Sequence, residues 1–397
     1  MIRFLRTTNP KLLRGTALLR LDFNTQDDWR MKAVIPTIKL LLNTSEKIII
    51  VSHRGRPENV KIVNGAPFGY EKPLSLKKDA ASLSRLLGKK VIFMPHFRWA
   101  EIKETVASSP RGSVFLLENL RFLKGEEENS LSLARQLASL SDFYVNDAFA
   151  VSHRADASVA AITNFLPSYA GLELEKEIIF LGKVMHAPKH PLVFVIGGAK
   201  AADKLGVLRH FKNTTDWFLL GGGPANTLLA VRGLNIKKSI SDANPKDWKN
   251  LKTISHYPNV ALPEDYVWHN GRILDIGRKT AEAFSKKILK AKTIIWSGPL
   301  GMTDQKAYQR GSICVANAIV KNRKAFSIAG GGETVLFLQK YGFDKKFSFI
   351  STGGGAMLDF LAGKKLPGIE ALKMTPLSGV IPEFRIHEEY PGSRINV

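Results

Sequence analysis

The scarcities of this 397-residue chain narrow its classes first. It has a single cysteine, Cys314, which excludes an intramolecular disulfide and fits a reducing cytoplasm. Cys314 itself reads as a small buried apolar side chain. No run approaches the roughly 20 apolar residues of a membrane span. Charges interrupt the basic segment 1–23 before a signal-type apolar core can form. A soluble, unexported protein is expected. HExxH and paired CxxC are missing, which argues against a dedicated zinc site, and no GxxxxGK[ST] occurs. Acidic residues are also few: 35 Asp and Glu against 58 Lys and Arg, a net charge of +23. Such an excess concentrates polyanions and phosphorylated metabolites, or serves only as a solvated surface. Charge alone does not separate these cases.

Adjacent glycines are absent from the first half. Gly197-Gly198, Gly221-Gly222-Gly223, Gly330-Gly331-Gly332 and Gly353-Gly354-Gly355 all lie beyond residue 196. The first half instead holds Arg30, His53, Arg56, Arg121, His153 and Arg154, most of them just after apolar runs. Glycine clusters let a backbone approach phosphates, whereas arginines clamp free anions by side chain. The pattern suggests two anion sites built by different means, one in each half.

With 44% apolar residues and this length, two domains of similar size are expected. Short β-branched runs end in polar or glycine residues at 16–24, 47–53, 90–96, 113–122 and 143–149. The second half repeats them at 192–198, 217–223, 293–299, 324–332 and 346–352. They read as strands of parallel sheets buried on both faces. Helical spacing at 75–90 (Leu76, Ala80, Leu83, Leu87, with Gly88 near the end) and at 129–142 alternates with them. The fold class is α/β, two doubly wound, Rossmann-like parallel-sheet domains, 1–171 and 192–372. A connecting helix, 172–191, carries a stripe of Leu174, Ile178, Leu181 and Val184 or Met185, stopped by Pro188 and Pro191. Residues 373–397 read as an irregular tail.

Ligands in open α/β sheets sit beyond the carboxyl ends of the strands. Those ends carry Asp22, Asn24, His53-Arg54-Gly55-Arg56, Arg121 and Asn146-Asp147, with Arg30 and His153-Arg154 in the loops that follow. One such arginine is commonplace; several on one sheet edge suit a ligand bearing phosphate and carboxylate. In the second half, GGAKAADK (197–204) directly follows an apolar strand. Lys200 and Lys204, four apart, are expected to share a face of an opening helix turn whose N–H groups face an anion. Gly332-Glu333-Thr334 and Gly353-Gly354-Gly355 repeat the arrangement. Glu333 is placed either to hold Mg²⁺ beside phosphates or to cap its helix.

The ordered runs LDFN (21–24), SHRGRP (52–57), LLENLRF (116–122), YVNDAFAVSHRA (144–155), GGAKAADK (197–204), GGGPA (221–225), DIGRKT (275–280), SGPLG (297–301), GGGET (330–334) and ISTGGGA (350–356) resemble the phosphoglycerate kinase family from about Leu21 to Leu372. The resemblance implies reversible phosphoryl transfer from 1,3-bisphosphoglycerate to ADP, giving 3-phosphoglycerate and ATP, after closure of the two domains. It implies that Asp22, Asn24, Arg30, His53, Arg56, Arg121 and Arg154 contact 3-phosphoglycerate. Gly198, Ala199, Lys200, Lys204, Gly221, Gly222, Pro299, Asp304, Gly332, Glu333, Thr334 and Gly353 would serve Mg-ADP or Mg-ATP, with Glu333 on the metal. Arg30, Lys200, Gly354 and Gly355 would surround the transferred group. A cytoplasmic monomer is expected, with no membrane and no specific nucleic-acid partner.

Several positions depart from the family pattern. Glu333 stands where Asp is usual, Asp304 where Glu is usual, Ser297 for Asn, Pro224 for Met and Phe349 for His. The loop from Asn24 to Arg30 and the stretch between Ile240 and Leu274 are short. These substitutions and the +23 charge motivate the alternative of a catalytically impaired homologue that binds RNA or another polyanion.

Overall fold

The computed structural model describes residues 1–25, 27–242 and 248–373; the expected tail beyond 373 lies outside them. The chain divides into two compact units. Unit one is Met1–Ile179 with the described residues from Lys365 on, and unit two is Phe180–Lys364. No helix among the described residues is long and apolar enough to cross a membrane.

In unit one, β1 (Thr16–Arg20), α1 (Trp29–Thr44), β2 (Lys47–Val51), β3 (Lys61–Val63), β4 (Ala66–Phe68), α2 (Lys77–Leu87) and β5 (Val91–Met94) come first. They are followed by α3 (Trp99–Ser108), β6 (Val114–Leu117), α4 (Leu131–Ala138), β7 (Phe143–Asn146) and β8 (Ser168–Ala170). Six strands form one parallel sheet in the order β5-β6-β2-β1-β7-β8. Central strands such as β2 are buried from Ile48 to Val51, which is why they read as unbroken apolar runs. Gly88 ends α2 at φ 63°, a left-handed cap that a side chain would strain. Ser130 caps α4 by accepting from Leu133 N–H.

Helix α5 (Leu172–His186) links the units, which divide between Ile179 and Phe180. Leu174, Leu181 and Val184 are buried as expected, and Ile178 is only half-buried. The helix also buries Glu173, Glu175 and Glu177. Asp147 Oδ1 caps its start, accepting from Glu173 N–H (2.9 Å) and Leu174 N–H (2.8 Å). Burial pushes the Asp147 carboxyl up to about 6 and that of Glu173 up to about 7. A raised acid pKa means that the folded state holds the proton more tightly. The resulting stability is present below the ordinary carboxyl range and is lost as pH rises through about 7. Glu173→Gln is therefore expected to flatten the fall in stability between pH 5 and 8 by on the order of 2–3 kcal/mol. Denaturant unfolding at the two pH values checks this, and an unchanged difference between them contradicts it.

Unit two continues with β9 (Leu192–Ile196), α6 (Ala202–His210), β10 (Trp217–Leu220), α7 (Gly222–Val231), α8 (Trp248–Ser255), β11 (Val260–Ala261), β12 (Tyr266–His269) and β13 (Arg272–Ile276). Then come α9 (Arg278–Ile288), β14 (Thr293–Ser297), α10 (Arg310–Lys321), β15 (Phe326–Gly330), α11 (Gly332–Lys340), β16 (Phe349–Ser351) and α12 (Gly355–Leu361). Its parallel sheet runs β11-β10-β9-β14-β15-β16. Cys314 is half-buried at the edge of this core, slightly more open than expected.

The last described helix is α13 (Pro367–Glu370). Gly368 N–H donates to Ser152 O (2.8 Å), and a side-chain Cβ at Gly368 would lie 2.6 Å from Val159, so this segment packs into unit one. Two hairpins also went unread. Both turn on Asn-Gly with positive φ, Asn64-Gly65 (48° and 74°) and Asn270-Gly271 (47° and 72°), the geometry of tight primed turns.

Candidate active site

Unit one gathers its cations at the carboxyl ends of β1, β2 and β6. Asp22 Oδ2 accepts from Arg30 Nη1 at 2.6 Å, while its Oδ1 accepts from Asn24 N–H at 2.8 Å. Asn24 Oδ1 accepts from Gly55 N–H (2.9 Å), and the Gly55 carbonyl accepts from Arg121 Nη1 (2.6 Å). Glu127 draws Arg121 (3.4 Å) and Arg154 (3.9 Å) toward one carboxylate. Asp22, Asn24, Arg30, Arg121 and Arg154 thus form one contact network, and His53 joins it 3.9 Å from Asp22. Arg56 is exposed and has no partner among the described residues.

Two guanidinium donors in this network have nowhere to send their hydrogens. Arg30 Nε and Arg121 Nη2 are buried without an acceptor among the described residues. An unmet charged donor is costly unless a ligand satisfies it. Burial, together with the nearby Arg154, depresses the Arg121 pKa. Burial and then the surrounding arginines hold His53 well below its ordinary value. An incoming anion relieves both effects.

Some strand-end residues serve the scaffold. Arg54 makes a bidentate pair with Asp79 (2.5 and 3.2 Å) and donates to Thr25 O. Asn146 and Asp147 are buried, and they order Ala148 N–H and the start of α5 respectively. Sequence reasoning missed Arg20, fully buried beside His53, and its counter-ion Glu126. A charged residue inside the apolar run 16–23 was the available signal.

In unit two a cavity of about 230 Å³ opens above the sheet. Gly198, Ala199, Gly222, Pro299, Asp304 and Glu333 line it, as six of the expected nucleotide-site residues. Ile240, Pro263, Ile273, Leu274, Leu300 and Met302 supply an apolar wall that suits a flat ring system. This wall was missed because half of it comes from the unread β12–β13 hairpin and its neighbours. Asp275 was missed too. It is buried, accepts from Ile276 N–H and Gly311 N–H (both 2.9 Å), and burial pushes it up to about 6. It caps α10 from outside, since the helix's own N-cap, Gln309, makes no side-chain bond there.

The remaining expected residues lie outside the cavity lining. Lys200 is exposed and precedes α6, which begins at Ala202, so the two lysines do not share a helix face. Lys204 Nζ donates to Lys200 O at 2.8 Å. The α6 N-terminus is not open to an anion either: Ala202 N–H donates to the Asp242 carboxylate (3.1 Å). Gly221 packs against Leu300, and buried Thr334 accepts from Gly298 N–H (2.8 Å). Gly353 N–H is held by Ser351 Oγ (3.1 Å). By contrast, Gly332 and Gly355 open α11 and α12 in exposed positions, with no atom within 4 Å of where a Cβ would sit. Gly354 precedes α12 at φ 51°.

Glu333 faces the cavity from the first turn of α11, exposed and without a partner among the described residues. No group of three or more His, Cys, Asp or Glu suited to a metal occurs among the described residues. One free carboxylate fits Mg²⁺ completed by substrate phosphates and water, which needs no cage of protein ligands.

Known proteins agree with this two-unit plan. Residues 11–364 match the family model of phosphoglycerate kinase. The chain is 40% identical to a phosphoglycerate kinase of Dictyoglomus turgidum, over 90% of this chain and 95% of that protein. It is 37% identical to one of Pseudothermotoga lettingae, over 91% and 96%. The phosphoglycerate kinase structure from Coxiella burnetii superposes with a TM-score of 0.76 at 31% identity, covering 94% of this chain and 99% of that one. That from Pyrococcus horikoshii gives 0.78 at 30%, covering 94% and 98%. The chain belongs to the phosphoglycerate kinase family.

Proposed function

We propose that this chain catalyses its family's reaction, reversible phosphoryl transfer between 1,3-bisphosphoglycerate and ADP, with the acid held by unit one and the nucleotide by unit two. The observation that carries the acid site is the pair of buried, unsatisfied donors on Arg30 and Arg121 beside His53. Asp22 and Asn24 hold that cluster in shape and offer acceptors for the acid's hydroxyl. Arg154 adds a cation shared with Glu127, and exposed Arg56 adds a further one.

Chemistry in the ATP-consuming direction needs no general base. The attacking carboxylate has a reference pKa near ~4 and is already ionised at neutral pH. The residues have to orient the reactants, exclude water and spread the charge of the moving group. In unit two the apolar wall would take the base, with Asp304 in reach of the sugar. Lys200, Lys204 and the open ends of α11 and α12 would face the phosphates. Glu333 would hold Mg²⁺, which supplies charge neutralisation on the phosphate oxygens. A single, free cysteine, Cys314, suits a reducing compartment such as the cytoplasm.

A coupled assay for ATP-dependent formation of 1,3-bisphosphoglycerate tests this reading, and correctly folded protein that is inactive with Mg²⁺ overturns it. Glu333→Ala is expected to raise the Mg²⁺ concentration giving half-maximal rate by about tenfold or more. An unchanged Mg²⁺ requirement removes Glu333 from that role.

A further inference from the structure

We propose that Arg20, paired with Glu126, is a positioning residue that holds His53 as the neutral tautomer carrying its hydrogen on Nε2. His53 then works as a fixed hydrogen-bond donor to the anion bound in unit one. The identity of that anion rests on the function proposed above; the tautomer does not.

The argument begins with a cation in an apolar strand. Arg20 ends β1 and is completely buried. Its Nη1 donates to Leu21 O at 2.6 Å, and its Nη2 lies 3.2 Å from His53 Nδ1. A guanidinium has only donors, so Nδ1 must provide a lone pair. A neutral imidazole that accepts at Nδ1 carries its hydrogen at Nε2. The imidazolium, with hydrogen on both nitrogens, would set N–H against N–H.

The competing partner is too far away. Asp22 Oδ1 would favour hydrogen on Nδ1, but it stands 3.9 Å off and already accepts from Asn24 N–H. Nε2 has no partner among the described residues, although the His53 side chain is almost wholly buried. A donor with no protein partner is free to meet a ligand.

Glu126 explains how the strand tolerates the charge. Its Oε1 lies 3.7 Å from Arg20 Nη2, and the carboxylate accepts from Ser158 Oγ (2.5 Å) and Ser158 N–H (3.0 Å). The pair has no exposed side-chain surface, so removing one partner would strand the other in the interior. The groups facing His53 are Arg20 and Asp22 from β1 and its loop, Arg30 from α1, Arg121 after β6, and Arg154. Four cations against one carboxylate oppose protonation in addition to burial. His53 should therefore remain a donor through the range in which a free imidazole changes charge.

Long-range ¹⁵N–¹H correlation spectra of the substrate-free protein, from pH 5 to 8, decide the tautomer. An unprotonated Nδ1 and a protonated Nε2 throughout are expected. Hydrogen on Nδ1, or an imidazolium at pH 6 to 7, overturns the proposal. The part played by Arg20 is tested in Arg20→Met combined with Glu126→Gln, which removes both buried charges together. The KM for 3-phosphoglycerate should rise about tenfold and kcat change less than about threefold, as for the loss of one oriented charge-assisted contact. His53 should also begin to titrate at higher pH. A folded double variant with an unchanged His53 spectrum and KM rules out the role of Arg20. If that variant does not fold, the wild-type spectra still decide. A wild-type protein with the expected tautomer but no kinase activity would refute the functional reading and leave this one standing.

Discussion

Lys200→Ala is expected to lower turnover by about 10²–10³ while leaving the unfolding midpoint unchanged, as for loss of one preorganised contact to a transferring phosphoryl group. The clean separation follows from the surroundings of Lys200. It is exposed, lies before α6 and has no side-chain partner among the described residues, so its removal strands nothing. Arg30 is a poorer probe because Asp22 depends on it at 2.6 Å, and truncation would leave a buried carboxylate unpaired. Lys204 is poorer still, since its ammonium holds the Lys200 carbonyl and is mostly buried. Steady-state kinetics of the coupled reaction, with a thermal melt as control, measure both halves of the expectation. Near-normal turnover would remove Lys200 from the transfer step. A large loss of stability would mean that its role is structural.

The parallel sheets were legible because burial on both faces leaves strands uniformly apolar. All ten runs read from the sequence contain sheet strands, from β1 at Thr16–Arg20 to β16 at Phe349–Ser351. Two further strands of these sheets, β8 and β11, were missed; they are edge strands of three and two residues. The arginine site was legible for a similar reason: strand ends in a parallel sheet share one edge, so Asp22, His53 and Arg121 had to converge. Arg20 escaped because the apolar run continues past it through Leu21 and Phe23, so a residue that ends β1 read as one within the strand. The nucleotide cavity was only half legible. Its polar rim follows strands, but its apolar wall comes largely from the stretch between Ile240 and Ile276, whose Asn270-Gly271 turn signal was passed over.

The paired glycines were read as openings for phosphate, and several serve another purpose. Gly197 and Gly223, together with the lone Gly298, are small so that neighbouring backbone can pass close to them. A Cβ at Gly197 would fall 2.0 Å from Pro299 O, at Gly223 2.0 Å from Ala199 O, and at Gly298 2.2 Å from Gly197 O. The same backbone is stitched by Gly198 N–H to Pro299 O (2.7 Å), Gly222 N–H to Leu300 O (3.0 Å) and Gly223 N–H to Gly198 O (2.8 Å). These bonds fix the floor of the cavity, because Gly198, Gly222, Gly223, Pro299 and Leu300 all line it.

Gly298→Ala should therefore be the most damaging single methyl in unit two. It combines a φ of +89° with backbone overlap that no side-chain rotation can relieve. Strain of this kind and overpacking each cost about 1–3 kcal/mol, so a loss on the order of 3–5 kcal/mol is expected. That corresponds to roughly 10 °C in the unfolding transition of unit two, with nucleotide affinity falling as the floor distorts. Gly332→Ala supplies the contrast: no atom lies within 4 Å of its Cβ position, and it begins a helix, so stability should change by less than about 1 kcal/mol. Calorimetric melts of the two variants, with and without ADP, compare them directly. Equal transitions would refute the distinction between glycines that let loops interlock and glycines that leave a helix end open.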